Sequence, residues 1–251
     1  MAPFAHMLAG IAGVLPRVID AYRTGGGVPY ADYGRDFRHG QGHINRPAFT
    51  CELRDWLAAM PDVARLESVR HARVADVGCG QGFSTLEIAH SFLDAHVDGV
   101  DADASSIADA RAHAADAGLD GRVRFVHADA AELAHHEPYD LVLILEALHD
   151  MTDPAGALRA ARAALAPGGT VLVVDERVAD TFTAPGDEIE RMMYGWSVSH
   201  CLPTQLAEQP SAALGTVIRP STVRELAAQA GYARVDVLDV ENDFFRLYRL
   251  S

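Results

Sequence analysis

From Arg73 onward, short apolar runs alternate with longer alanine-rich stretches whose apolar residues recur at helical spacing. The first run, RVADVG (Arg73–Gly78), ends in glycine, and a helical pattern follows from Phe83 to Asp94 with Leu86, Ile88, Ala89 and Leu93 apolar. His96–Asp101 reads as a second strand, Ala104–Ala117 as a helix stopped by Gly118, and Arg122–Asp129 as a third strand with alternating Val, Phe and Val. Tyr139–Leu148 holds five consecutive apolar residues, Leu141 to Leu145, the pattern of a strand covered on both faces. A helix over Pro154–Leu165, a turn at Pro167-Gly168-Gly169 and a second doubly buried strand, Thr170–Glu176, come next. The chain closes with a helix over Ser221–Ala230 and strands at Arg234–Leu238 and Phe244–Tyr248.

This alternation predicts an α/β fold, a doubly wound and mostly parallel seven-stranded sheet with right-handed crossovers. The few polar residues between Leu238 and Phe244 can make a hairpin but not a parallel crossover, so one strand should run antiparallel. Two segments fall outside the pattern. Residues 1–72 predict a helical N-terminal extension or cap, with a glycine-rich break, ahead of a domain spanning 73–251. Residues 177–217 predict an insertion, and one of that length is usually a lid or binding element. The apolar stretch Phe4–Ile19 is interrupted by Gly10, Gly13 and Pro16 and lacks a basic leader. It is also shorter than the ~20 residues of a bilayer span, so it predicts one helix or two short ones seeking an apolar partner, with no membrane role.

Composition narrows the class. The 251 residues are 49% hydrophobic and 22% charged, which fits a soluble globular protein and excludes collagen-like and disordered chains. Lys and Arg total 21 against 35 Asp and Glu, a net charge of −14, the wrong sign for displacing counterions from a nucleic acid. Cys51, Cys79 and Cys201 are far apart and form no CxxC pair, so neither a disulfide framework nor a cysteine zinc site is predicted. Reduced thiols point to the cytoplasm.

The most informative stretch is VADVGCGQG, Val74–Gly82, between a buried strand and a helix start. Glycine there lets a ligand approach the backbone, and the helix N-terminus supplies unpaired N–H groups. A dinucleotide fingerprint needs its third glycine where Phe83 stands; here glycine comes one position early, at Gly82. Asp76 adds a negative charge that opposes a pyrophosphate but suits a cationic amino group. Asp101 ends the second strand, where it can accept from two ribose hydroxyls, and Asp129 ends the third, where it can accept from an adenine amine. A ribose, an adenine and a cationic amino-acid tail together describe S-adenosylmethionine.

In order and spacing, VADVGCGQG, VDGVDAD, FVHADAAEL, YDLVLILEALHDMTDP and LAPGGTVLVVDE resemble the class I S-adenosylmethionine-dependent methyltransferases. The resemblance implies the Rossmann-like methyltransferase fold, with S-adenosyl-L-methionine as cofactor and S-adenosyl-L-homocysteine as its product. It implies that Gly78, Cys79, Gly80 and Gln81 wrap the methionine moiety with Asp76 near its amino group. Asp101 then serves the ribose, Ala102 the adenine face, Asp129 and Ala130 the adenine edge, and Glu146 the neighbourhood of the sulfonium. The flanks, including RTGGGVPYADYG and HCLPTQLAEQPSAALGTVIRP, resemble an actinobacterial-type group whose larger members begin with a winged-helix-like domain. The chain starts too late to hold a complete one, so a homodimer stays open.

Methyl transfer is a displacement from a sulfonium, and a base is needed only where the acceptor loses a proton. His149, in the loop after the fourth strand, is the candidate base; its bland alternative is packing beside the Pro154 helix. His43 and Asn45 beside Arg46, with Tyr30 and Tyr33, lie where a segment could close over the cofactor. His200 next to Cys201 could line an acceptor pocket with Tyr194, Trp196, Met192 and Met193, although an aromatic and Met-rich patch of this kind is more often core or lid packing. A hard-cation site from Asp150 with Asp175 or Glu176 is weighed and not predicted. The expected activity is methylation of an oxygen or nitrogen centre in a small molecule, plausible for specialised metabolism. The alternatives are a non-catalytic S-adenosylmethionine sensor and an NAD-dependent dehydrogenase, the latter disfavoured by Phe83 and Asp76.

Overall fold

The doubly apolar runs take the centre of the sheet. In the computed structural model, which describes residues 2–136 and 138–251, the strands are β1 (Arg73–Val77), β2 (His96–Asp101), β3 (Val123–His127), β4 (Tyr139–Leu145), β5 (Leu165–Glu176), β6 (Val235–Val237) and β7 (Phe245–Leu250). Among the described residues they form one seven-stranded sheet in the order β3-β2-β1-β4-β5-β7-β6. Strands β1 to β5 pair in parallel, and β7 runs antiparallel to both neighbours, as the short final link requires. Strand order reverses between β1 and β4, the switch point where open α/β sheets leave a crevice beyond the strands' carboxyl ends.

Helices α1 (Ala2–Thr24), α2 (Gly34–Ala58) and α3 (Val63–Ser68) precede the sheet, and α4 (Phe83–Ser91), α5 (Ala104–Asp116) and α6 (Pro154–Ala163) alternate with its strands. After β5 come α7 (Glu188–Trp196), α8 (Leu202–Leu206) and α9 (Pro220–Gln229). Alternate strand residues face opposite layers. Val74, Leu141, Leu143 and Leu172 pack with Leu53 and Trp56 of α2, Ile88 of α4 and Ile107 of α5. Ala75, Val142, Ile144 and Val173 pack on the other side with Leu158 of α6 and Val223 of α9. Each such fully buried aliphatic side chain contributes about 1.5–3 kcal/mol relative to an exposed one.

Three expectations change in detail. The stretch around Pro167-Gly168-Gly169 is not a turn before a strand but lies inside β5. Tyr139 pairs with Leu165 and Leu141 already with Thr170, so residues 166–169 bulge from the ladder. The insertion is largely helical from 188 to 206, with a π-helical turn at Ser197–Cys201 between α7 and α8. The N-terminal apolar stretch is a single helix that runs through Gly10, Gly13 and Pro16. By length and composition α1 could cross a membrane, but its Met7, Ile11, Val14 and Val18 face is buried against Tyr33 and Phe37.

The N-terminal helices and the insertion meet over the sheet's carboxyl edge. Val28 N–H donates to Pro203 O (2.9 Å), Tyr33 Oη–H to Ser199 O (3.0 Å) and Tyr22 Oη–H to Val198 O (2.9 Å). Gly27 lies so close that a Cβ there would overlap the Ala207 amide nitrogen and the Leu206 and Pro203 carbonyl groups, all of them backbone. Gly27→Ala should therefore separate the glycine-rich loop from α8 and lower stability by about 1–3 kcal/mol. Urea unfolding checks this, and an unchanged midpoint would show that the contact does not fasten the two segments.

Candidate active site

A cavity of about 460 Å³ opens over the carboxyl ends of β1, β2 and β4. Its floor is the loop Gly78–Gln81, where Gly78, Gly80 and Gly82 take φ of 76°, 50° and 80°. A Cβ on Gly80 would meet no atom within 4 Å, so the loop backbone stands open to a ligand there. Asp101 and Ala102, at the end of β2, and Asp129 and Ala130, after β3, line one side. Tyr30, Gln41 and Asn45 from the N-terminal segment, Glu146 after β4, and His200 from the insertion line the other.

The acidic side chains are placed by backbone donors. Asp101 accepts from Gly80 N–H through Oδ2 and from Asp103 N–H through Oδ1, both at 2.8 Å, which ties loop to strand and leaves lone pairs for a ligand. Asp129 accepts from Ala131 N–H (2.8 Å) and caps the short helical turn that follows it. Asp76 does not line the cavity. It is buried beneath the loop, and its Oδ2 accepts from Ser84 (2.7 Å) and Thr85 (2.6 Å), while Oδ1 is buried with no partner. Burial pushes its carboxyl up to about 6 despite those two hydroxyl donors. Cys79 lines the floor with its thiol raised by burial, and Gln81 is drawn toward α5 by Asp109 (2.8 Å).

Beyond β4 the chain is strained. Glu146 adopts φ 56°, unusual for a residue with a side chain and characteristic of functional sites. Its Oε1 and the Oε2 of Glu176 are buried without partners. Burial raises both carboxyls, Glu176 to about 7, and each is further raised by the nearby Asp175.

His149 is 4% exposed and, like Asp76, does not line the cavity. Its Nδ1–H donates to Asp175 Oδ1 at 2.7 Å, its main-chain N–H to Asp175 Oδ2 at 3.2 Å, and its carbonyl accepts from Gln205. Asp175 is thereby engaged with the imidazole, not free as one edge of a carboxylate metal site. The other ring nitrogen, Nε2, lies 3.8 Å from Cys201 Sγ and 3.5 Å from Asp150 Oδ1. Burial opposes charge on His149, but Asp175 and Asp150 carry its pKa well above the usual histidine value.

Of the residues weighed around the cavity, Tyr30, Asn45 and His200 line it, whereas Tyr33 packs. His43 stacks with His39 (4.0 Å) and against Phe83, and Arg46 lies over the Phe83 ring at 4.7 Å. Of the Met192, Met193, Tyr194 and Trp196 patch none lines the cavity, in keeping with the packing reading, and Trp196 packs on Phe4 of α1. Residue types alone gave no sign of two contributors, Arg38 and Gln41, and Asp175, weighed as a cation ligand, takes a different part. Arg38 reaches from α2 to 3.5 Å from Asp103, Gln41 accepts from Tyr30 (2.8 Å), and Asp175 braces His149.

A doubly wound sheet with β7 reversed, a glycine loop after β1 and an acidic residue at the end of β2 define a Rossmann-like protein whose cavity takes an adenosyl group. The unpartnered Asp76 oxygen beneath the loop fits an ammonium in place of a diphosphate, which matches S-adenosylmethionine. Residues 68–231 match the family model described as "Methyltransferase domain", and the chain belongs to this family, the class I S-adenosylmethionine-dependent methyltransferases. It is similar to trans-aconitate 2-methyltransferase of Streptomyces avermitilis, 33% identical over 65% of this chain and 56% of that protein. It is also similar to the ubiquinone biosynthesis O-methyltransferase of Stutzerimonas stutzeri, 29% identical over 73% and 75%. The structure of an O-methyltransferase family protein from Burkholderia thailandensis shares the fold, with a TM-score of 0.75 at 15% identity over 99% of this chain and 71% of that one. The chain thus spans little more than half of the first relative's length.

Asp76 yields a pH prediction. A carboxyl whose folded pKa lies above its unfolded value stabilises the fold in acid and loses that contribution as pH rises through the folded value. The rise from 3.8 to about 6 is worth on the order of 3 kcal/mol. Asp76→Asn should accordingly gain on the parent by about that amount between pH 4 and pH 7, read from urea unfolding of ligand-free protein. Parallel pH curves would mean that Asp76 ionises freely.

Proposed function

We propose that this protein transfers a methyl group from S-adenosylmethionine to an oxygen or nitrogen centre of a small molecule, in the cytoplasm and as part of specialised metabolism. The observation that carries the reading is the buried, unpartnered Asp76 oxygen under a glycine loop whose other end is tied to Asp101. In this reading Asp76 receives the ammonium of the methionine tail, and Gly78, Cys79, Gly80 and Gln81 wrap that tail. Asp101 holds the ribose hydroxyls, Ala102, Asp129 and Ala130 border the adenine, and Glu146 stands near the sulfonium. The bound cofactor supplies an electrophilic methyl. The protein's part is to hold the acceptor in line with it, exclude water and receive a proton. The cavity of about 460 Å³ must hold both reactants, which favours a small acceptor. His149, oriented by Asp175, is the final proton acceptor.

Residues 1–72 act as a cap and 177–217 as a lid, a reading supported by the hydrogen bonds that join them over the cavity. The exposed apolar face of α1, with Leu8, Leu15, Ile19 and Tyr22, suits self-association as a homodimer. One relative's name specifies O-methylation, which is consistent with an oxygen acceptor.

Calorimetry with S-adenosylhomocysteine tests the cofactor assignment. Saturable binding is expected in the parent, with affinity weakened by about 1–3 kcal/mol in Asp101→Ala through loss of charge-assisted hydrogen bonds. Label transfer from S-adenosylmethionine to a small-molecule extract then tests catalysis. Saturation by nicotinamide nucleotides in place of the sulfonium cofactor would overturn the reading, and binding without transfer would make the protein a sensor.

A further inference from the structure

The candidate base does not reach the cavity, yet a histidine that does lies one sulfur atom away. His200 is 2% exposed, lines the cavity and carries a buried Nε2 with no protein partner. Its other nitrogen, Nδ1, is 3.4 Å from Cys201 Sγ, and the same sulfur is 3.8 Å from His149 Nε2. His149 Nδ1 in turn meets Asp175 at 2.7 Å. From these contacts we propose that His200, Cys201, His149 and Asp175 form a proton relay that carries the acceptor's proton out of the methyl-transfer cavity. The inference rests on the function proposed above and assigns His200, not His149, as the group that touches the acceptor.

The bookkeeping of protons closes. In the form competent for transfer, reached once His149 has given up its Nε2 proton, His200 carries its proton on Nδ1 and presents the Nε2 lone pair to the acceptor; the Cys201 S–H points to His149 Nε2. As a lone pair of the acceptor atom forms the bond to the methyl carbon, the carbon–sulfur bond of the cofactor breaks with its electron pair leaving on sulfur. The acceptor's proton passes to His200 Nε2, the Nδ1 proton to Cys201 Sγ, and the thiol proton to His149 Nε2. Cys201 ends as a thiol, His200 ends neutral with its proton on Nε2, and the positive charge ends on His149 beside Asp175. When the product leaves, the reverse transfers carry the proton from His149 through Cys201 and His200 Nε2 to water entering the cavity, which restores the starting tautomers.

The surroundings of each member suit its part. The His200 ring stacks on Phe37 (4.1 Å) and meets Tyr33 (4.7 Å) and Tyr30 (5.8 Å) edge-on, so its orientation is fixed. Burial lowers its pKa to about 4, which keeps it neutral, and burial raises the Cys201 thiol to about 12, which keeps the S–H in place. The π-helical turn at Ser197–Cys201 sets the two side chains in succession against the cavity and against His149. Charged and titratable groups facing His149 are Asp150, Asp175, Glu146, Glu176 and Cys201; those facing His200 are Asp150, His149, Cys201, Tyr30 and Tyr33. His149 and Cys201 act through His200 and are positioning residues.

The shared sulfur predicts a signature independent of any acceptor. When His149 is a cation its Nε2–H donates to Cys201, the S–H turns to His200 Nδ1, and His200 carries its proton on Nε2. When His149 loses its proton the thiol turns back and His200 switches to the Nδ1–H tautomer. Long-range ¹H–¹⁵N NMR of the full chain with labelled histidine, with S-adenosylhomocysteine added, should show His200 neutral throughout and changing tautomer at the pH where His149 titrates. Cys201→Ser should keep the switch and Cys201→Ala abolish it. A single His200 tautomer across the His149 transition, or a switch that survives in Cys201→Ala, overturns the relay. The wild-type titration decides the question even if Cys201→Ala fails to fold. Repeating it without S-adenosylhomocysteine separates the two readings: a switch with no cofactor affinity leaves the relay and removes the methyltransferase assignment.

Discussion

Carboxylates crowded at one edge of a buried sheet are the constraint on which the site depends. Asp76 on β1, Asp101 on β2, Glu146 after β4 and Asp175 and Glu176 on β5 all stand at the strands' carboxyl ends, and several of their oxygens have no partner. Burying a carboxylate is costly unless it is paired, so such a group either keeps its proton or waits for a cation. Both responses are visible here. Asp101 accepts from two backbone N–H groups, Asp175 faces His149, and burial pushes Asp76, Asp101, Glu146 and Glu176 toward the protonated form. A ligand bearing one ammonium and one sulfonium would exchange this strained proton inventory for two ion pairs. The same burial that destabilises the free acids thus favours a cofactor that presents an ammonium and a sulfonium over a diphosphate.

That reasoning also explains which parts of the site were legible in the sequence. Asp101 and Asp129 close apolar runs, and a run that ends at the sheet's carboxyl edge delivers its last polar residue to the crevice, whereas Asp76, one residue before the end of β1, stays buried beneath the loop. The reversed β7 followed from chain length, since the few residues after Leu238 cannot cross over. Contacts between distant segments left no such trace. Asp175 and His149 are 26 residues apart, and Tyr22 and Val198 are separated by 176; nothing periodic connects them. On the acceptor side the sequence left lining and packing open for a local reason. Residue type does not tell which of Met192, Met193, Tyr194, Trp196 and His200 reaches the cavity; the helix widens at Ser197 and brings His200 there, leaving Trp196 against α1.

The cap and the insertion account for one apolar stripe of α1. Its buried stripe packs on Tyr33 and Phe37, and those same aromatic residues contact the His200 ring. A helix at the start of the chain therefore supports, through two rings, a residue far along it. Close passage at Gly27 holds the loop before Tyr30 against α8. Stability of the N-terminal helices and geometry of the cavity wall are in this way one problem, coupled through the close passage at Gly27.

Charge conservation links the two halves of the proposed chemistry. Methyl transfer discharges the sulfonium, and a neutral acceptor gives up a proton in its place. Were that proton released to solvent at once, the buried carboxylates would lose their countercharge in the transition state, where a low-dielectric site tolerates it least. Retained on His149, beside Asp175 and 3.5 Å from Asp150, it keeps the positive charge within the same acidic cluster from substrates to products. The cationic form of His149 is stabilised by those two acids even though burial opposes it. A terminal acceptor of that kind is a strong base only once deprotonated, so the acids that hold the charge after transfer also require the resting His149 to be emptied first, through the same thiol that fills it.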